Sequence, residues 1–199
     1  MGKKYYAYFV PEENIKGIAE SWKECEKAVK GKSNAKFKGF KTREDAEAWL
    51  EKGADYDFKK EFEKGIYFDA GTGRGKGVEV SVTNERGKSL LHMILPPEKI
   101  SGFGTHLLAN GATNNYGELL ACKFALEIAL KTRAEKIFGD SKIVVNYWSK
   151  GFVKEVNVLE ETLDLIDGVK ILRDAFEEKG GAIISVSGSE NPADLGFHR

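Results

Sequence analysis

Four acidic residues lie where predicted strands and helices begin or end. Asp69 closes an apolar strand-like run, and Asp140 directly follows another. Glu118 lies in the first turn of a long predicted helix, and Asp194 follows Pro192. Open α/β sheets form their sites at the carboxyl ends of strands, and oxygen ligands from several elements, without a Cys or His cluster, are typical of Mg²⁺ or Mn²⁺. Together the four residues predict a site for divalent metal ions.

Each of these residues taken singly has a simpler explanation. Asp and Glu are common in turns and in first helical turns, where they face the positive end of the helix dipole. The metal hypothesis therefore depends on the four contexts occurring together and in order along one chain.

The elements that would position these carboxylates begin after Gly65. Apolar runs predict five strands, over 66–70, 78–83, 89–95, 135–138 and 182–186. Helical spacing predicts helices over 116–133 with Asn114-Asn115 as the cap, after Asp140, over 158–179 and after Pro192. This order is typical of an α/β domain in which helices cover a mixed five-stranded sheet.

The first fifty or so residues form a separate pattern. Strands are predicted over 5–10 and 35–40, and apolar residues recur at helical spacing between them, from 18 to 29. Thr42 is a suitable N-cap for a second helix. The sequence therefore predicts a small βαβα domain, 1–52, a linker, 53–64, and a larger domain, 65–199.

Composition limits the classes of function. The chain has 199 residues, 41% of them hydrophobic, and a net charge of zero. Residues 1–52 carry 12 Lys and Arg against 9 Asp and Glu, a basic excess that ordinary scatter also produces. No apolar run approaches the roughly 20 residues that cross a bilayer, and no signal-peptide core is present. With only Cys25 and Cys122, we expect a cytoplasmic protein without disulfides or structural zinc.

Four short blocks contain the carboxylates: FDAGTG with Asp69, TNNYGELLA with Glu118, FGDS with Asp140 and NPAD with Asp194. Through these blocks residues 65–199 resemble type 1 ribonuclease H, and the paired Asn is the most specific feature. The resemblance implies the ribonuclease H-like fold and an endonuclease that cuts the RNA strand of RNA–DNA hybrids, leaving 3′-hydroxyl and 5′-phosphate ends. It also implies that the four carboxylates bind two Mg²⁺ ions, which Mn²⁺ can replace.

The same resemblance implies a set of hybrid contacts. The 2′-hydroxyls of the RNA would contact the main chain around Gly71, Thr72 and Gly73, together with Asn114 and Glu118. Groups that would hold the DNA strand or the minor groove are Thr113, Asn115 and Lys142. Lys142 is equally typical of a solvated helix lysine.

The N-terminal residues contain further motifs: Tyr6-Ala7, Gly17-Ile18, WKEC at 22–25, AKFKGF at 35–40 and Thr42. They resemble the hybrid-binding domain found in many such enzymes and in caulimovirus viroplasmin. In that domain the residues at the positions of Trp22 and Phe37 contact the DNA strand, and those of Tyr6 and Lys38 help to hold its backbone. Gly39 replaces a second basic residue, and the first loop lacks an Arg-rich run, so weaker hybrid affinity is expected.

The loop before Asp194, SGSENPA, lacks the His that many relatives carry there for proton movement or product release. Glu190 precedes Asp194 by four residues, and we assign it this role by resemblance to a shorter-looped branch of the family. A solvated loop acid is the competing interpretation. His198, one helical turn past Asp194, is the other candidate, although a terminal His is commonly exposed.

Two other functions share these features. A hybrid-binding protein with a decayed nuclease domain would keep the first domain, but all four carboxylates are present. A Holliday-junction resolvase or a DNA integrase would share the fold, but neither accounts for the Thr113-Asn114-Asn115 block or the N-terminal domain. The expected partner is therefore an RNA–DNA hybrid duplex, with no membrane and no obligate protein partner.

Overall fold

The computed structural model describes residues 4–56, 61–72, 75–154 and 158–195. The chain divides into two units, residues 1–60 (unit 1) and residues 61–198 (unit 2). None of the described helices combines the length and the apolar character needed to cross a membrane.

Unit 1 is a three-stranded antiparallel sheet with two helices. The strands are β1 (Tyr5–Val10), β2 (Ile15–Ala19) and β3 (Lys36–Phe40), in the order β2-β1-β3, and the helices are α1 (Trp22–Val29) and α2 (Arg43–Glu51). Thr42 caps α2 as expected, because its Oγ1 accepts a hydrogen bond from the main-chain N–H of Asp45 across 3.2 Å. Ala46 and Trp49 of α2 form a small buried core with Ala7 of β1.

The predicted βαβα order is wrong at its second element, because residues 15–19 form a strand whose last two residues, 18 and 19, lie where the sequence predicts the start of a helix. Asn14, at φ 51°, turns the chain, and the following residues pair with β1 in an antiparallel hairpin. The helical spacing of the apolar residues gives a wrong prediction here, because an apolar residue such as Ile18 is compatible with a strand as well as with a helix. The helix begins only at Trp22, with Ser21 as its N-cap. Unit 1 is therefore ββαβα.

The segment predicted as the linker packs on the units at both of its ends. The indole N–H of Trp49 donates to the main-chain O of Asp55 across 2.7 Å within unit 1, and Ala54 is completely buried. Within unit 2, the hydroxyl of Tyr67 donates to the main-chain O of Glu63 across 2.8 Å. The described residues at each end of this segment therefore contact the unit that contains them, and the predicted boundaries, 1–52, 53–64 and 65–199, stay a prediction.

Unit 2 contains a mixed five-stranded sheet flanked by helices, as the sequence predicts. Its strands are β4 (Ile66–Gly71), β5 (Glu79–Asn84), β6 (His106–Leu107), β7 (Lys136–Gly139) and β8 (Ala182–Ser185), in the order β6-β5-β4-β7-β8. β4, β5 and β6 are antiparallel neighbours, whereas β7 runs parallel to β4 and β8. The helices are α3 (Asn114–Thr132), α4 (Lys142–Asn146) and α5 (Glu160–Glu178). α3 packs on β4 and β5, and α5 packs on α3.

The strand predicted over 89–95 is wrong. Ser89 makes an isolated bridge with Thr83, the chain then forms a 3₁₀ turn at Leu91–Met93, and β6 takes the sheet position beside β5. Leu91 is fully buried, and the apolar residues around it also pack on the core. This apolar run therefore reaches the core through a 3₁₀ turn, although a continuous apolar run is also typical of a strand that is buried on both faces.

Two helix ends also differ from the sequence-based expectation. The cap of α3 is Thr113 rather than Asn114-Asn115, because Thr113 Oγ1 accepts a hydrogen bond from the N–H of Tyr116 across 3.2 Å. The described residues 192–195 form no helix, and the rest of the helix predicted after Pro192 lies outside the described residues.

Candidate functional site

Asp69 lies on β4, the central strand of the sheet in unit 2, and is 3% exposed. Its Oδ2 accepts a hydrogen bond from the main-chain N–H of Leu195 across 3.0 Å. Burial raises the pKa of Asp69 to about 6, and the negative charges of Asp140 and Asp194 act in the same direction, against the Leu195 hydrogen bond. The surroundings of this carboxylate therefore oppose its charge when no cation is present.

Glu118 is the fifth residue of α3, just past the first turn in which the sequence predicts it, and is 6% exposed. Burial raises the pKa of Glu118 to about 9, and the charges of Asp69 and Asp140 act in the same direction. Among the described residues, no hydrogen-bond donor contacts its buried Oε2 atom. Because an unpartnered buried carboxylate oxygen is costly, this atom fits a position that a bound cation would complete.

Asp140 follows β7 and is held by Asn191. The side-chain Nδ2 of Asn191 donates to Oδ1 of Asp140 across 3.0 Å and to the main-chain O of Phe68 across 2.8 Å. Its Oδ1 accepts a hydrogen bond from the N–H of Ala193 across 3.1 Å, and the residue is buried. Asn191 has no predicted role, and its only sequence signal is its place in the NPAD block.

The ligand atoms of Asp69, Glu118 and Asp140 all lie within 4.8 Å of one another. Asp194 is outside this group, although its charge contributes to the raised pKa of Asp69. Three carboxylates at such distances repel one another, and hard oxygen donors from separate elements are the ligands that Mg²⁺ and Mn²⁺ prefer. The donor set and the unpartnered Glu118 oxygen therefore fit a divalent metal site, which we call the carboxylate group.

The predicted hybrid contacts of unit 2 lie on the segments that carry this group. The described members are Gly71 and Thr72 at the end of β4, Thr113, Asn114 and Asn115 at the start of α3, and Lys142 at the start of α4. Gly73 lies outside the described residues. Apart from the partly buried Gly71, these residues are exposed, so their polar groups are open to solvent.

The structure does not bring Glu190 into the carboxylate group. Glu190 is exposed at the end of a 3₁₀ turn, where its Oε2 accepts a hydrogen bond from the hydroxyl of Ser187 across 3.1 Å. Burial raises the pKa of Tyr67 to about 12, and the charge of Glu190 is among those that add to this effect. The other candidate, His198, lies outside the described residues.

In unit 1, three aromatic residues from different elements form one contact surface. The ring of Trp22 lies 5.8 Å from that of Tyr6 and 5.3 Å from that of Phe37, between ring centroids. Trp22 is 43% exposed and Phe37 is 41% exposed, although large aromatic side chains are usually buried in small domains. We call Tyr6, Trp22 and Phe37 the aromatic surface; the structure brings together these three predicted contacts.

Lys38 does not belong to the aromatic surface. In the β1–β3 ladder Phe37 pairs with Tyr8, whereas Lys38 pairs with the buried Ala7. Because successive side chains of a strand point to opposite faces, Lys38 lies on the other side of the sheet from Phe37. Its Nζ is there 5.8 Å from the centroid of the Phe40 ring. The structure therefore places Lys38 apart from Trp22 and Phe37, and its contact with the hybrid backbone stays a prediction.

Comparisons with known proteins address both units. The family model of the Ribonuclease H1 N-terminal domain matches residues 4–50, which confirms the resemblance found for the N-terminal motifs. Among solved structures, the chain is similar to RNase H1 from the halophilic archaeon Halobacterium salinarum. The two are 21% identical, the match covers 67% of this chain and 92% of that chain, and the TM-score is 0.41. No curated protein matches the chain.

Proposed function

We propose that this protein is a cytoplasmic, metal-dependent endonuclease that hydrolyses the RNA strand of RNA–DNA hybrids. The observation that carries the proposal is the carboxylate group, whose three side chains come from separate elements and approach within 4.8 Å. The match of residues 4–50 to the Ribonuclease H1 N-terminal domain supports the hybrid as the substrate. Exposed aromatic rings in that unit suit nucleic-acid contacts, since bases stack on such rings.

The metal ligands in this proposal are Asp69, Glu118, Asp140 and Asp194. Two divalent ions bound by carboxylates supply charge stabilisation at the phosphate and an activated water for in-line attack. We propose Mg²⁺ as the natural metal, with Mn²⁺ as a substitute, because all the ligands are hard oxygens. Asp69, Glu118 and Asp140 would hold metal that stabilises the charge of the leaving oxygen, and Asp194, together with Asp69, would hold metal that activates the water.

The chain's own groups orient these ligands and move the proton. The N–H of Leu195 holds Oδ2 of Asp69, and the amide of Asn191 holds Oδ1 of Asp140, so two ligands keep one rotamer each. Glu190, exposed on its loop, would hold and release a proton at its carboxylate. Water, rather than the RNA 2′-hydroxyl, would attack the phosphate, and the bond between phosphorus and the 3′-oxygen would break. The expected products therefore carry 3′-hydroxyl and 5′-phosphate ends.

Strand recognition is assigned to groups on both units. Main-chain groups at Gly71, Thr72 and Gly73, with Asn114 and Glu118, would contact the RNA 2′-hydroxyls, which distinguish RNA from DNA. The DNA strand and the minor groove would be held by Thr113, Asn115 and Lys142. Although Thr113 caps α3 through its oxygen, its hydroxyl proton can still bond a phosphate. On unit 1, Trp22 and Phe37 would stack on the DNA strand, with Tyr6 at its backbone.

The proposal is tested with one hybrid labelled either on its RNA strand or on its DNA strand. In Mg²⁺ we expect internal cuts in the RNA strand only. A polymerase should be able to extend the new 3′ ends, and the new 5′ ends should carry a phosphate. Trp22→Ala is expected to raise KM about fivefold or more, because it removes a stacking platform, and to leave kcat unchanged. Cuts in the DNA strand, or RNA fragments ending in 2′,3′-cyclic phosphate, would overturn the proposal.

A further inference from the structure

The hydroxyl of Tyr56 bonds both main-chain polar groups of Phe37. It accepts a hydrogen bond from the N–H of Phe37 across 3.0 Å and donates one to the carbonyl O across 3.2 Å. The two residues are 19 positions apart in sequence, and Tyr56 lies in the segment predicted as a linker. A single side chain therefore fixes the peptide groups on either side of one aromatic-surface residue.

These bonds occupy the open edge of the sheet. Within the described part of the chain, the strand order β2-β1-β3 leaves one side of β3 without a neighbouring strand. Phe37 is opposite Tyr8 of β1, and since its N–H and C=O bond Tyr56, they point away from β1, as in a non-hydrogen-bonded pair. Without Tyr56, the same groups would face water, and the backbone at Phe37 would be held from one side only.

Tyr56 is itself fixed from the core of unit 1. The segment that leads to it, residues 53–56, folds back on α2: the N–H of Ala54 donates to the main-chain O of Trp49 across 3.0 Å. The indole N–H of Trp49 in turn donates to the main-chain O of Asp55, and the rings of Trp49 and Tyr56 lie 5.6 Å apart between centroids. Ala54 is fully buried with a left-handed φ of 54°. This anchoring involves no residue of the aromatic surface.

We propose that Tyr56 is a positioning residue for hybrid binding, which acts by holding Phe37 in place beside Trp22. This inference rests on the proposed function, because it needs the aromatic surface to bind the hybrid. Phe37 is 41% exposed, so few packing contacts hold its ring before a ligand binds. Tyr56 fixes the main chain from which this ring projects. Ordering that part of the binding surface in advance removes an entropic cost that corresponds to about a three- to tenfold change in affinity.

The test uses the full chain and the substitution Tyr56→Phe, which removes the hydroxyl and keeps the ring against Trp49. Hybrid affinity is measured in the Asp69→Asn background, where cleavage does not interfere, with and without Phe37→Ala. We expect Tyr56→Phe to weaken binding about three- to tenfold when Phe37 is present and to have no effect when it is absent. With Asp69 intact, KM should rise and kcat should stay unchanged.

Thermal unfolding separates positioning from a general loss of stability. Tyr56→Phe removes the same two main-chain hydrogen bonds whether residue 37 is Phe or Ala, so its effect on the melting temperature should be equal in both backgrounds. Tyr147→Phe, at an exposed tyrosine of unit 2, is the matched control and should leave hybrid affinity unchanged.

The other possible results of these binding and melting measurements would contradict either the role of Tyr56 or the proposed binding surface. If Phe37→Ala weakens binding but Tyr56→Phe does not, the inference is wrong and the proposed function stands. If Tyr56→Phe weakens binding equally with and without the Phe37 ring, Tyr56 acts through stability and not through positioning. If Phe37→Ala binds the hybrid like the unchanged protein, the aromatic surface is not the binding site, and the proposed contact and the inference both fail.

Discussion

The side-chain amide of Asn191 donates a hydrogen bond to Oδ1 of Asp140 across 3.0 Å. The same nitrogen donates to the main-chain O of Phe68 on β4, so one buried amide joins the loop before Asp194 to two neighbouring strands. The carboxylate of Asp140 is thereby oriented by a group that lies outside the carboxylate group itself. Such outer partners commonly determine how well a metal site is preorganised.

We therefore expect Asn191→Ala to lower activity about ten- to a hundredfold and to raise the Mg²⁺ concentration needed for half-maximal cleavage. The variant also leaves the buried Phe68 carbonyl without its side-chain donor, which should cost about 1–3 kcal/mol of stability. A Mg²⁺ titration of the cleavage rate, at a temperature where the variant is folded, measures the effect. Asn146→Ala, at an exposed site on α4, is the control. An unchanged Mg²⁺ requirement would show that Asn191 does not position Asp140.

Glu118 should make the stability of the metal-free protein fall as the pH rises. Its pKa is about 9 in the folded chain against an ordinary value of 4.5, so the unfolded chain releases this proton at lower pH than the folded chain does. Stability is then lost between those two pKa values. Glu118→Gln, which has no proton to release there, should become progressively more stable than the unchanged protein from about pH 5 to about pH 8.

Urea unfolding in a chelator across this pH range measures the difference. Glu127→Gln, a partly exposed site on the same helix, should show no such trend. Adding Mg²⁺ should stabilise the unchanged protein, because a ligand that binds only the folded state shifts the equilibrium, and should stabilise Glu118→Gln much less. Parallel pH profiles for the two proteins would contradict the burial-based account of Glu118.

Gly117 controls how closely α3 approaches the sheet. A Cβ at this position would lie 2.3 Å from Cγ1 of Val78 and 3.1 Å from Cβ of Ala70. Gly117→Ala should therefore push the start of α3 outward, cost about 1–3 kcal/mol of stability by overpacking and move Glu118 away from Asp69, with a loss of cleavage. Thermal melts and cleavage rates measure both effects.

Gly168→Ala on α5 is the matched control for this prediction. A Cβ there meets nothing within 4 Å, so the substitution should stabilise the helix by about 0.5–1 kcal/mol and leave cleavage unchanged. Full activity in Gly117→Ala would mean that the position of α3 is not as constrained as the packing indicates.

The three carboxylates of the group were accessible to sequence reasoning because each lies at the end of an element with a strong pattern. β4 and β7 are short apolar runs and α3 has a long helical pattern, so Asp69, Glu118 and Asp140 can be placed near the ends of these elements from the sequence. β6 has two residues and no detectable periodicity, and its place in the sheet depends on tertiary pairing with β5. For this reason the sequence predicts the third strand of unit 2 over 89–95, the more apolar run that precedes β6.

Side-chain direction and long-range contacts were harder to predict. Phe37 and Lys38 face opposite sides of the sheet because side chains alternate along a strand, so the sequence already contains this signal. The bond between Tyr56 and Phe37 has no local signal, because it depends on the chain folding back after α2. The role of Asn191 likewise depends on the loop before Asp194 reaching β4.

The most direct test of the central claim is a cleavage assay in Mg²⁺ on three labelled duplexes: RNA–DNA, RNA–RNA and DNA–DNA. The unchanged protein is compared with Asp69→Asn, which preserves the shape of the side chain and removes its charge. We predict cleavage of the RNA–DNA hybrid alone, in its RNA strand, and loss of that cleavage in Asp69→Asn. Cleavage of DNA–DNA, or equal cleavage by both proteins, would contradict a hybrid-directed nuclease that works through the carboxylate group.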